Sequence, residues 1–240
     1  MMESNNDALY SHALKSLSKL TEFQKSSLPS RFGKTQIECI PYLYYENGKY
    51  VYDCCERGLR VMHRITTNIH EALYWVYDDI IHELGFSYEL KNRNPLQDTR
   101  RIAFKKMDEL FSIIGEPYQS MWKKEFEAII AVAPFDDEIH KILYLVDEYE
   151  KMVKALRSVT QDMSPVGQEA AILILKTHFY SSTDGMKNPL QSVRQMRNAI
   201  LIIRDNLQNS HISSSPIALT FIQSVFNTEA IAAQVKDLEQ

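Results

Sequence analysis

Apolar residues recur at three- and four-residue steps from Asn68 to Leu84: Ile69, Ala72, Leu73, Val76, Ile80 and Leu84. That spacing puts them on one face of an α-helix. Thr66, Thr67 and Asn68 each offer an oxygen to cap its start, and Gly85 is placed to end it in a left-handed conformation. Tyr74 and Trp75 flank the stripe. The pattern predicts a central helix over 68–84 that buries a large aromatic area, with Trp75 between it and a hairpin. Tyr77, Asp78, Asp79 and Glu83 lie off the stripe and are expected to face solvent.

The hairpin signal lies upstream. Ile37 to Tyr45 and Lys49 to Cys55 are rich in Ile, Tyr, Val and Leu and flank Asn47-Gly48, a pair suited to a two-residue turn. Pro41 has no amide hydrogen, so its strand belongs at an edge or a bulge. A lone hairpin is marginal in water and must pack on another element, and the central helix is the expected partner.

Helical spacing governs most of the rest. Residues 7 to 26 present Leu9, Ala13, Leu17 and Leu20 on one side, before Leu28-Pro-Ser-Arg-Phe-Gly33 breaks the pattern. Residues 86–93 read as a connection. Asn94-Pro95 reads as a cap and first helical position, followed by the stripe Ala103, Met107, Leu110 and Ile114 up to Gly115. Pro117 opens a helix with Tyr118, Met121, Trp122, Phe126, Ile129 and Ile130 inward, stopped by Pro134. Asp136-Asp-Glu opens a long one with Ile139, Leu143, Val146, Tyr149, Val153 and Leu156 inward. A buried helix is expected around Ala170 to Leu175, and 181–189 reads as a loop. A seam of Val193, Met196, Ile200, Ile203 and Leu207 follows, then one or two closing helices after Ser213. The fold class is mainly α: a multi-helix domain with one N-terminal β-hairpin (α+β) and a helical C-terminal half. The expected division is a first domain over 1–133 and a helical extension over 134–240, packed apart or as one unit.

Composition narrows the function. A net charge of −4 argues against nucleic-acid binding. The N-terminus lacks the charged and apolar regions of a signal peptide, and no apolar run reaches membrane-spanning length, so no membrane association is expected and a cytoplasmic site is. Cys39, Cys54 and Cys55 are odd in number and show no metal-ligand spacing. Two Asp-x-x-His pairs, Asp79/His82 and Asp137/His140, have the helical spacing of a bundle metal site, but no inward glutamates accompany them. A helical enzyme or metal protein using His82 and His140 is the alternative reading. No cofactor is expected. Arg93, Arg100, Arg101, Lys105 and Lys106 cluster, but Asp98, Asp108 and Glu109 interleave, and Asp98–Arg101 and Lys105–Glu109 have helix-pair spacing.

Glu56-Arg57-Gly58, Thr66, Leu73-Tyr74-Trp75-Val76, Tyr88-Glu89-Leu90, Asn92-Arg93, Asp98-Thr99-Arg100-Arg101, Phe104 and Glu109-Leu110 form an ordered series. Over roughly residues 50 to 130 it resembles the immunity-protein family numbered sixty-three of bacterial polymorphic toxin systems. Thr99 stands where that pattern has an aromatic. The resemblance implies a protein with no catalytic group that binds and neutralises a cognate protein toxin. It also implies that one of Arg57, Arg100 and Arg101 pairs with Asp98, Glu56 or Glu89 and ties hairpin to helix. Toxins that cleave nucleic acid have basic clefts, so Tyr77, Asp78, Asp79 and Glu83, with Asp136, Asp137 and Glu138, are the expected partner-facing residues.

Overall fold

The computed structural model describes residues 2–24, 28–33, 39–183, 189–210 and 215–238. The chain divides into two compact units, Met1–Asp137 and Glu138–Gln240.

In the first unit, α1 (Met2–Leu17) and a short 3-10 turn (Pro29–Arg31) precede an antiparallel sheet of three strands in the order β1-β2-β3. β1 (Tyr42–Glu46) and β2 (Lys49–Glu56) meet at Asn47-Gly48, where both residues take positive φ, 51° and 79°. This is the predicted hairpin, with Tyr45 opposite Tyr50. The strand starts at Tyr42, just past Pro41, so the missing amide lies outside the ladder; residues 34–38 fall outside the described chain.

The sequence reading did not foresee β3 (Leu59–Thr66). Arg57-Gly58 repeats the first turn, with φ of 49° and 77°, and sends the chain back along β2. A side chain in the left-handed region is costly, so the permissive glycine comes second and arginine tolerates the first position.

α2 (Ile69–Asn92) is the central helix, capped by the Asn68 side chain, which accepts from the His70 amide at 2.9 Å. It does not stop at Gly85. The predicted connection 86–93 is helical almost to its end, and Gly85 is buried in mid-helix. Its role is clearance: a Cβ there would sit 2.7 Å from Met107 Cγ and 3.1 Å from the Ala103 carbonyl oxygen. Those residues belong to α3 (Thr99–Ile114), so the missing side chain lets α2 and α3 pack backbone to side chain. α3 is capped by Asp98 and not by Asn94, which instead closes a local turn by accepting from the Leu96 amide. Gly115 ends it, as predicted.

α4 (Tyr118–Val132) adds Trp122, which is 1% exposed, stacks on Phe111 at 5.5 Å and meets Phe104 edge-on at 5.7 Å. The core of this unit joins α1, Leu43, Tyr52, the α2 stripe and this aromatic group. Ile69, expected in the stripe, is exposed. Trp75 does lie between α2 and the sheet, its ring 5.9 Å from Tyr52, but it is only half-buried, with the Arg64 guanidinium over its outer face. Trp75 therefore cannot carry the core penalty its size suggested.

The second unit contains α5 (Asp137–Val159, whose first residue belongs to the first unit), α6 (Pro165–Thr183), α7 (Pro189–Ser210) and α8 (Ser215–Leu238). Val193, Met196, Ile200 and Ile203 form the predicted seam of α7, packed with Leu175, Phe179, Ile222 and Phe226. α5 buries Met152 and Leu156 and packs Tyr144, Leu145, Tyr149 and Val153 against the same core, while its first turn stays outside. Ile139, Leu143 and Val146, predicted inward, are exposed. α6 buries Ala171 and Leu175 but exposes Leu173, and it runs into the predicted loop as far as Thr183, beyond which 184–188 lie outside the described residues. Buried Glu148 is held by Lys151 at 3.2 Å and by Arg197.

Two stability tests follow from this packing. Trp122→Ala is expected to cost about 3–5 kcal/mol and Trp75→Ala less than half of that, measured by urea denaturation. Gly85→Ala should destabilise by about 1 kcal/mol, because overpacking against α3 outweighs the better helix propensity of alanine. Adding Met107→Ala should recover part of that particular loss.

Candidate partner-binding surface

Asp78 and Asp79 of α2 are half-buried and bonded within the protein. Asp79 accepts from the Tyr52 hydroxyl at 2.5 Å and from Arg31 at 3.1 Å, locking β2 and the 3-10 turn to the helix. Burial raises its pKa, and the Tyr52 hydrogen bond and Arg31 only partly oppose this. Asp78 pairs with His82 at 3.0 Å, not Asp79 as the sequence spacing suggested. Burial works against charge on His82, but Asp78 outweighs it and the net shift is upward. Tyr77, expected at the surface, is fully buried against Tyr118, ring centroids 4.7 Å apart. The helix turns Tyr77 toward α4 and Asp79 toward the sheet. Of these four residues only Glu83 is exposed.

A second knot closes around Asp98, which is 2% exposed. Arg100 forks onto it, Nε at 3.0 Å and Nη2 at 2.6 Å, and the amides of Arg100 and Asp136 add bonds at 3.0 and 3.2 Å. Hydrogen bonds from Arg100 hold the Asp98 pKa down at about 2. Arg100 also donates to the Ala133 and Pro134 carbonyls, at 2.8 and 3.0 Å. Asp137 accepts from the Asp98 amide at 2.9 Å and from Arg101 at 2.8 Å. The expected pairing of an arginine with Asp98 is present, but it ties α3 to the segment after α4 and leaves the hairpin untouched. Arg101 takes Asp137 in place of Asp98, Lys106 reaches Glu22 at 2.8 Å, and Glu89 binds Arg93 at 2.7 Å. Glu138 is exposed and Asp136 contributes its amide to the knot.

Beside that knot lies a cleft of about 460 Å³ floored by Phe104, Trp122, Phe126 and Phe135. Arg101, Lys105 and Lys123 face Asp108 and Glu127 on its rim, so its charge is mixed. The sheet surface away from α2 differs. Asp53, 2% exposed, accepts from Tyr44 at 2.9 Å, pairs with His63 and lies 3.6 Å from Arg60. Around it β3 exposes Val61 and Ile65, and a register shift at Cys54/Cys55 brings Arg60 to the same face. The alternation Val61, His63, Ile65 was the available sequence signal for this face. Among the described residues, no helix is long and apolar enough to cross a membrane, and no group of three or more His, Cys, Asp or Glu side chains converges as metal ligands would. All three cysteines are free.

The hairpin end at Glu46, both turns, α2, α3 and most of α4 thus form one continuous packed stretch. Residues 46–128 match the family model of Immunity protein 63. This is the family, and close to the segment, that the motif series resembled. No curated protein and no solved structure matches the chain. Within the Immunity protein 63 segment the motif residues have structural work. Gly58 permits the second turn, Leu73 is core, and Tyr74 stacks on Phe111 and donates to Glu125 at 2.7 Å. Trp75 covers Tyr52, Tyr88 lies under the Lys106 ammonium at 5.2 Å, and Asp98, Arg100 and Arg101 build the knot. Glu56 and Arg57 flank the exposed turn.

Asp98→Ala should lower stability at pH 7 by about 3 kcal/mol, because Arg100 loses its buried partner. The folded-state pKa of Asp98 is depressed below the usual ~3.9. Its contribution is therefore full above about pH 4 and fades as the pH falls through about 2. Urea melts of wild type and variant should converge over that window.

Proposed function

We propose that this chain is an immunity protein that binds a cognate bacterial toxin domain in a stoichiometric complex and blocks it without any catalytic step. The observation that carries this reading is the match of residues 46–128 to Immunity protein 63. The geometry supports it in kind. The buried carboxylates Asp53 and Asp98 and the half-buried Asp79 are each tied to tyrosine, histidine or arginine groups that brace neighbouring elements. Such braces produce a rigid body, and rigidity suits an inhibitor because little conformational freedom is lost on docking. A specific contact would cover about 800 Å² on this side. The site of action is the cytoplasm of the toxin-producing cell or its kin.

The test is co-expression with each toxic product of the neighbouring genes. Growth should be restored in proportion to the immunity chain supplied, and affinity purification should give a one-to-one complex. Toxicity that persists at excess immunity chain, with no complex recovered, overturns the proposal.

A further inference from the structure

The two edges of the sheet are treated differently. At β1, Phe32 bridges Leu43, the Gly33 amide donates to the Leu43 carbonyl at 2.9 Å, and the Tyr45 amide donates to Asn6 Oδ1 at 3.0 Å. At β3, among the described residues, no hydrogen bond from outside β2 reaches the backbone. The edge of this eight-residue strand is therefore open, and an open edge is a template for another strand unless proline, lysine, a bulge or a covering element blunts it. Here a register shift opposite Cys54/Cys55 interrupts the edge at Val61, and Met62 to Thr66 run on in regular pairing beyond it. β3 instead exposes Leu59 at 71%, Val61 at 57% and Ile65 at 49%.

The charge along this edge has one sign. From Arg57 to His70 the chain carries Arg57, Arg60, Arg64 and two histidines with no Asp or Glu, in a protein whose net charge is −4. Asp53 neutralises Arg60 and, being buried, fixes it and His63 on the outer face. Arg64 lies over Trp75 and acts on Asp79, so among the described residues the charge with no carboxylate within ion-pair distance on this edge is that of Arg57. Arginine spaced among aliphatic side chains on an open strand edge fits an extended segment that alternates acidic and apolar residues. The interleaved Leu59, Val61 and Ile65 offer nothing to a phosphate backbone.

We infer that the open edge and outer face of β3 are where the toxin docks, by adding an extended segment of acidic and apolar residues as a fourth strand. Main-chain hydrogen bonds would hold that segment, and its side chains would set specificity. The inference rests on the toxin-binding reading above.

It is tested on the co-purified complex by hydrogen–deuterium exchange and by substitution. Amides within 59–66 should exchange more slowly in the complex than in the free chain. Val61→Asp with Ile65→Asp should raise Kd at least about tenfold with an unchanged melting temperature, since both side chains are exposed. Arg57→Glu should slow association and weaken its salt dependence. If the wild-type complex forms and exchange in 59–66 does not change, docking lies elsewhere and the inference fails while the proposed function stands. If no complex forms, both fail. Binding of a single- or double-stranded oligonucleotide at physiological salt that Arg57→Glu abolishes would assign the edge to nucleic acid and also overturn it.

Discussion

The close approach of α2 and α3 at Gly85 is the constraint on which the first unit depends. Helices usually pack 8–10 Å apart, with the distance set by the side chains at the contact. Removing one Cβ on α2 brings Met107 and the Ala103 carbonyl against the α2 backbone. That position lets Tyr74 of α2 meet Phe111 of α3, and Phe111 in turn stacks on Trp122 of α4. A larger residue at 85 would push α3 outward and open the interior of this aromatic stack.

Charged groups fix what the apolar core leaves free. Apolar contact is non-directional, so it sets how much is buried but not the angle of a sheet on a helix. Asp79 supplies the angle by accepting from both Tyr52 and Arg31, and Asp98 does the same for α3 and the chain after α4. Breaking either set of bonds would leave a carboxylate without its partners. For this reason Asp78 and Asp79 have little left to offer a partner, whereas β3 spends few of its side chains on the core.

The sequence showed the helices, the Asn-Gly turn and the Immunity protein 63 motifs because those depend on local spacing and on residue order. It misread Gly85 because a glycine that ends a helix and one that clears a neighbouring helix look alike until the neighbour is placed. Asp98 lost to Asn94-Pro95 for a related reason: both pairs can start a helix, and the fork from Arg100 that decides between them involves the distant Ala133 and Pro134 carbonyls. The inward faces of Tyr77 and Asp79 followed from packing on two sides of α2, which a single stripe cannot express. β3 was partly legible in its alternation, but Arg-Gly is a weaker turn signal than Asn-Gly, and arginines at alternate positions disguised the strand.

The second turn, at Arg57-Gly58, has a consequence for how such a protein changes over generations. It lets β3 take its main-chain bonds from β2, with Leu59, Val61 and Ile65 exposed and Met62, Arg64 and Thr66 reaching the core or α2. Changes at its exposed side chains touch little of the folded body, while changes at Gly85 or Asp98 strike the packing of α2 on α3 and the Arg100 fork. One body can thus be kept while a single exposed ribbon is redrawn.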